Sequence, residues 1–256
     1  MLQHKFKHYR NCQSCKYLLR IKNKIVVTGG SGRFAQTLKK VKCKYKFIYP
    51  KKTQLNIINL NSISKYLKKT KPQSVLHLAG LSRPMIEHEK NICKSINLNI
   101  IGTANLVNIC SKLKIKLIYF STSYVYPGTK GNYNEHDAVR PWNNYAWSKL
   151  GGECAVQMYK NSLILRVCMT ERPFIHKNAY ANVKINFIFH DELAEILVKI
   201  LNKKGIINVG GPTETVYNFA KKYNKKIKKI FIKKNQKASF PLKPFMNLSK
   251  LKKIIK

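Results

Sequence analysis

The chain has 256 residues and a mass of 29.7 kDa, enough to bury one full core with a small second lobe. Hydrophobic residues make up 44% and aromatic residues 11%, which excludes a disordered chain. Fifty Lys+Arg stand against ten Asp+Glu, a net charge of +40, and the only aspartates are Asp137 and Asp191, which argues against chemistry built on carboxylate pairs.

No apolar run approaches the ~18–20 residues of a membrane-spanning helix. No apolar h-region opens the chain either, so neither a membrane partner nor export is expected. The seven cysteines (12, 15, 43, 93, 110, 154 and 168) are odd in number and scattered, and read as reduced thiols of a cytoplasmic protein. The positive charge has two readings, a polyanion partner or compositional drift toward lysine. Only seven arginines are present, and arginine is the residue suited to bidentate phosphate or guanine recognition. Drift is therefore preferred, with nucleic acid bound through non-specific charge only. The field would still draw in a negatively charged small substrate.

Residues 1–23 read as a basic arm. His4, His8, Cys12 and Cys15 are zinc-ligand types, but structural zinc modules separate two ligand pairs by a longer folded loop, so no metal site is assigned. A transit-type peptide stays open, although serine is sparse. Residues 24–28 (Lys-Ile-Val-Val-Thr) read as a buried strand stopped by Gly29-Gly30, and 33–40 as a helix. Strands follow at 45–49, 74–77, 116–120 and 162–166, with helices at 63–69, 86–112 and 144–160. This alternation predicts a parallel α/β sheet with right-handed crossovers. Beyond residue 167 the pattern weakens to a helix at 190–201, a strand at 205–209 and a helix at 215–223. From Lys221 onward no acid occurs, and the tail reads as a solvated basic surface with apolar anchors at Ile227, Ile230, Phe231 and Ile232.

Thr28-Gly29-Gly30-Ser31-Gly32-Arg33-Phe34-Ala35 follows the first strand and opens the first helix, the context a glycine-rich dinucleotide loop requires. Gly29 permits the tight turn, and Gly32 leaves the helix N-terminus open to a pyrophosphate. After the second strand the usual acid is absent. Tyr49-Pro50-Lys51-Lys52-Thr53 offers Lys51 and Lys52, with Arg33, to a 2′-phosphate, which favours NADP(H) over NAD(H). Tyr145 and Lys149 stand four residues apart on one predicted helix face, where an ammonium would lower the phenol's pKa. Hydroxyls of Ser121, Thr122 and Ser123 close the fourth strand at the edge where open α/β sheets bind ligands.

In order along the chain, Thr28–Ala35, His77-Leu78-Ala79-Gly80, Asn99-Ile100-Ile101-Gly102-Thr103, Ser121-Thr122-Ser123-Tyr124-Val125-Tyr126 and Tyr145-Ala146-Trp147-Ser148-Lys149-Leu150-Gly151-Gly152-Glu153 resemble the extended short-chain dehydrogenase/reductase family. Among its nucleotide-sugar enzymes the chain is most similar to the dTDP-4-dehydrorhamnose reductases. The resemblance implies a Rossmann-type doubly wound sheet over 24–167 and a reduced substrate-binding lobe with basic tail over 168–256. It implies that Thr122 bonds the sugar oxygen, Tyr145 transfers the proton, and Lys149 orients ribose and tunes Tyr145. Gly29, Ser31, Gly32, Arg33, Phe34, Lys51, Asn56, Ala79 and Gly80 would border the cofactor together with Tyr145 and Lys149. Asn56 stands where the family carries an Asp near adenine.

Ser123-Tyr124 replaces the Asp-Glu that follows the catalytic Thr in the family's dehydratases, so dehydration is excluded. The resemblance implies reduction of a 4-keto-6-deoxy nucleotide sugar, with a homodimer left open. The alternatives are a 4-epimerase with retained NAD and a non-catalytic nucleotide- or nucleic-acid-binding protein on the same fold.

Overall fold

The computed structural model describes residues 23–174, 176–232 and 240–256. Nearly all of the basic arm, including His4, His8, Cys12 and Cys15, lies outside them. Six parallel strands form the central sheet: β1 (Lys24–Thr28), β2 (Lys46–Ile48), β3 (Ser74–His77), β4 (Lys116–Thr122), β5 (Ser162–Val167) and β6 (Gly205–Val209). They lie in the order β6-β5-β4-β3-β1-β2. Every residue of β3 and β5 is buried, as expected of parallel strands covered on both faces.

Alternation along each strand feeds two helical layers. Ile25 and Val27 of β1 point into a core shared with α1 (Arg33–Leu38), α5 (His190–Ile200) and α7 (Ser249–Ile255). Val26 points the opposite way, toward α2 (Leu60–Thr70), α3 (Gly102–Lys112) and α4 (Asn144–Gln157). Asn59 caps α2 by accepting the Ser62 N–H at 2.9 Å, and Asn143 caps α4 by accepting the Ala146 N–H at 2.8 Å.

The single helix expected over 86–112 is broken. One turn covers Glu87–Lys90, a second starts at Ile92–Ser95, and Ile96–Ile101 is π-helical before α3. Asn91, at φ −136°, separates the first two turns. The widened π turn lies against α4, where a Cβ on Gly152 would come within 2.5 Å of the Asn99 carbonyl. Only glycine allows that approach.

The sixth strand and the helix before it come from beyond Val167, so part of 168–256 belongs to the main sheet rather than to a second lobe. The remainder forms three two-stranded pairs: Met169–Thr170 with Ile188–Phe189, Asn178–Tyr180 with Lys228–Ile230, and Lys184–Ile185 with Glu214–Thr215. With α6 (Val216–Lys221) they enclose a core of Phe174, Ile185, Phe189, Phe219, Ile227 and Met246. The tail is not merely surface, because Leu251 of α7 is buried against the sheet. Among its four expected anchors Ile227 is buried, Ile230 and Ile232 are half-buried, and Phe231 is 58% exposed. Among the described residues no helix is long and apolar enough to cross a membrane.

Candidate active site

Gly29 adopts φ +72°, and the Gly32 N–H closes the turn on its carbonyl at 2.9 Å. A Cβ at Gly29 would stand 2.6 Å from the Ala79 nitrogen, so the ends of β1 and β3 touch through bare backbone. A buried chain of hydrogen bonds fixes this junction. The Ala79 N–H donates to Thr28 Oγ1 at 3.2 Å, and Thr28 Oγ1 lies 2.8 Å from His77 Nδ1. His77 Nε2 is 3.0 Å from Thr103 Oγ1, whose own proton goes to the Asn99 carbonyl at 2.7 Å. Thr103 therefore accepts from Nε2–H, and Nδ1 accepts from Thr28. Burial, with the Lys149 charge acting in the same direction, pushes His77 down to about 3 and keeps it neutral. His77 is thus a structural residue at the head of the cleft.

Thr122 ends β4, and Tyr145 and Lys149 occupy successive turns of α4. Tyr145 is packed edge-on against His88, with centroids 5.2 Å apart, and against Tyr124 at 6.2 Å. Burial raises the Tyr145 pKa, while the Thr122 hydroxyl and the Arg83 charge draw it back down. The phenol stays protonated at neutral pH, which suits a proton donor. Burial lowers Lys149 to about 7 against the opposing pull of Glu153, and its Nζ lies 4.2 Å from the centre of the Tyr119 ring. Arg83 adds a second cation beside Lys149 whose charge favours release of the Tyr145 proton.

Gly29, Gly32, Arg33, Phe34, Gly80, Thr122, Tyr145 and Lys149 line a single cleft at the C-terminal edge of the sheet. Ser31, Lys51, Asn56 and Ala79 are not among its lining residues. Ser31 and Lys51 are exposed, and the Lys51 N–H is engaged by Gln54 Oε1 at 2.9 Å. Asn56 Oδ1 accepts the Ile58 N–H at 3.2 Å, bracing its own loop.

Sequence reasoning missed Arg83, Glu171 and His190, which complete the lining, and His88, which backs Tyr145. Arginine itself was the available signal. Four of the five described arginines (33, 83, 166 and 172) form ion pairs. One turn beyond Lys149 is the buried pair Glu153–Arg166 at 2.6 Å. Ser121 Oγ donates to Glu153 at 2.5 Å, and Arg166 donates to the Tyr126 hydroxyl at 2.8 Å.

The methionine adenosyltransferase 2 subunit beta of Pongo abelii is 29% identical to this chain over 157 residues, covering 57% of the chain and 46% of that protein. The chain spans about half the length of the curated relatives it matches. Among solved structures, the dTDP-4-dehydrorhamnose reductase of Bacillus anthracis str. Ames in complex with NADP superimposes with a TM-score of 0.79. It is 19% identical, over 90% of this chain and 91% of its own. A hypothetical dTDP-4-dehydrorhamnose reductase from Sulfolobus tokodaii gives 0.78 at 22% identity, over 90% of this chain and 94% of its own. These structural likenesses establish the Rossmann-type fold. The family model of the RmlD substrate binding domain matches residues 23–171, from the start of β1 to the carboxylate at the cleft wall. That is more than half of the protein, and the chain belongs to the RmlD substrate-binding-domain family.

Proposed function

We propose that the protein reduces a 4-keto-6-deoxy nucleotide sugar of the dTDP-4-dehydrorhamnose type with NAD(P)H. The observation that carries this reading is the meeting of Thr122 and Tyr145 in one cleft with the Gly29–Gly32 turn. The residues fit a dinucleotide. Gly29 turns through a left-handed backbone, with no space for a side chain beside Ala79, and Arg33 adds a cation at the same wall. Gly29, Gly32, Arg33 and Lys149 would hold the cofactor, which when bound supplies the hydride. Thr122 positions the sugar carbonyl by hydrogen bonding. Tyr145 donates its proton to that oxygen, and Arg83 stabilises the phenolate left behind. With Ser123-Tyr124 after Thr122, no carboxylate stands there to drive an elimination. Arg33 at this wall and the exposed Lys51 and Lys52 after β2 support a preference for NADPH.

Titration of the purified protein with NADPH and NADH, at moderate and high salt, tests the site. Saturable binding that survives high salt is expected, tighter for NADPH, followed by NADPH consumption on dTDP-4-dehydrorhamnose. An epimerase would return its hydride and show no net consumption. Loss of all binding at high salt would remove the enzyme reading.

A second reading is favoured by those curated relatives, the proteins of Pongo abelii and Bos taurus among them, that are named as subunits of a methionine adenosyltransferase. In it the protein is a nucleotide-binding subunit of a larger assembly. Salt-resistant cofactor binding without turnover, with assembly unaffected by Tyr145→Phe, is its expected signature.

A further inference from the structure

Arg33 opens α1, Arg83 lies in the loop after β3, and both reach one carboxylate. Nη1 of each stands 2.8 Å from Oε1 of Glu171. All three residues line the cleft that holds Thr122 and Tyr145, and among the described lining residues Glu171 is the one carboxylate. Its side chain is 23% exposed against 54% for Arg33 and 42% for Arg83, so the acid is the inner member of the trio. A guanidinium carries five N–H donors in a fixed fork, and one shared carboxylate oxygen uses few of them. A phosphate brings more charge and more acceptor oxygens to the same two forks.

We propose that Arg33 and Arg83 form an anion site for a phosphate group of the bound nucleotide, with Glu171 as its internal competitor, displaced when the phosphate enters. This rests on the reading of the cleft as a nucleotide site. The neighbouring Arg172 is anchored separately, by Asp191 at 3.2 Å and Glu192 at 2.8 Å, and lies 3.6 Å over the Phe189 ring. With that anchor in place, the exchange requires only the Glu171 side chain to turn. The phosphate belongs either to the dinucleotide or to the sugar nucleotide, two sources of one chemistry.

Calorimetric titration with NADPH and with thymidine diphosphate, on the native protein and on Glu171→Gln, separates them. Removing the competing charge should tighten whichever ligand uses the site by about 3–5-fold, the scale of an exposed ion pair. Tightening of NADPH alone assigns the site to the cofactor, of thymidine diphosphate alone to the substrate, and of both to a shared position. The gain should vanish in Glu171→Gln combined with Arg83→Gln. If both ligands bind the native protein and Glu171→Gln changes neither, the anion site is wrong while the proposed function stands. If neither nucleotide binds, the function falls, and inorganic pyrophosphate decides the site. Tighter pyrophosphate binding by Glu171→Gln would uphold the site, and unchanged binding would overturn it.

Discussion

Tyr145 combines two opposed influences, a buried ring that favours the neutral phenol and a neighbourhood of Thr122 and Arg83 that favours its release of a proton. Tyr145→Phe keeps the ring packing against His88 and Tyr124 and removes the hydroxyl with its proton. Reductive turnover should fall by at least 10²–10⁴-fold, with NADPH affinity nearly unchanged by titration; undiminished turnover would sink the mechanism. Lys149 gives a prediction about stability. Its pKa falls from 10.5 to about 7 on folding, so between those values the unfolded chain binds more protons than the folded one. Stability from this group therefore rises with pH from about 7 toward 10.5, and below 7 the cost of holding the ammonium is constant. In urea melts, the native protein should gain stability relative to Lys149→Met by up to about 1.4 kcal/mol per pH unit across that window. Parallel pH profiles for the two proteins would show that Lys149 is solvated.

The Glu153–Arg166 pair joins α4 to β5, and its polar neighbours reach on to β6 at the edge of the sheet. Arg166 donates to the Tyr126 hydroxyl, and that hydroxyl lies 2.9 Å from Asn208 Oδ1 on β6. Glu135 closes the circuit by accepting the Asn208 N–H at 3.0 Å. Both charges are buried, so Arg166→Met would strand a carboxylate without water. The expected loss is roughly 3–5 kcal/mol in denaturant melts. Converting Glu153 to Met as well should recover much of it; equal losses in the single and double variants would mean that the pair itself stabilises the fold. Arg166 belongs to no motif, and although Glu153 closes the motif that carries Tyr145 and Lys149, their partnership spans a helix and a strand. The turn at Gly29 and the Tyr145–Lys149 pair, by contrast, were legible because each is local. The π turn at Ile96–Ile101 was not, because it arises where Asn99 serves neighbours distant in sequence, accepting the Leu81 N–H at 2.7 Å and donating to Ser148 at 2.8 Å.

A net charge of +40 on one chain is a self-repulsion that the fold must overcome. The ten acids, those of the cleft and Glu153 included, are already counted in that figure, so the remaining positive charge is left to solvent and salt. Between low and moderately high ionic strength, screening should raise the melting temperature by about 2–4 °C or more, equivalent to ~1 kcal/mol for a protein of this size. A flat melting temperature across a sodium chloride series would mean that the lysines are already dispersed beyond mutual reach. The same series separates salt-resistant cofactor binding from non-specific polyanion contact.

Amino-acid order alone determined the strand–helix alternation, the glycine turn and the position of Thr122, Tyr145 and Lys149 on one edge. Each depends on spacing within a few residues and on the rule that parallel strands end at a common side. Folding in three dimensions decided the rest. It carried β6 and α5 back from beyond residue 167 into the main sheet and buried Leu251 of a tail that reads as basic surface. It also brought Arg33, Arg83 and Glu171 together from three separate segments. Burial, not sequence neighbours, set the protonation of His77, Tyr145 and Lys149, because desolvation depends on what the whole chain packs around a group.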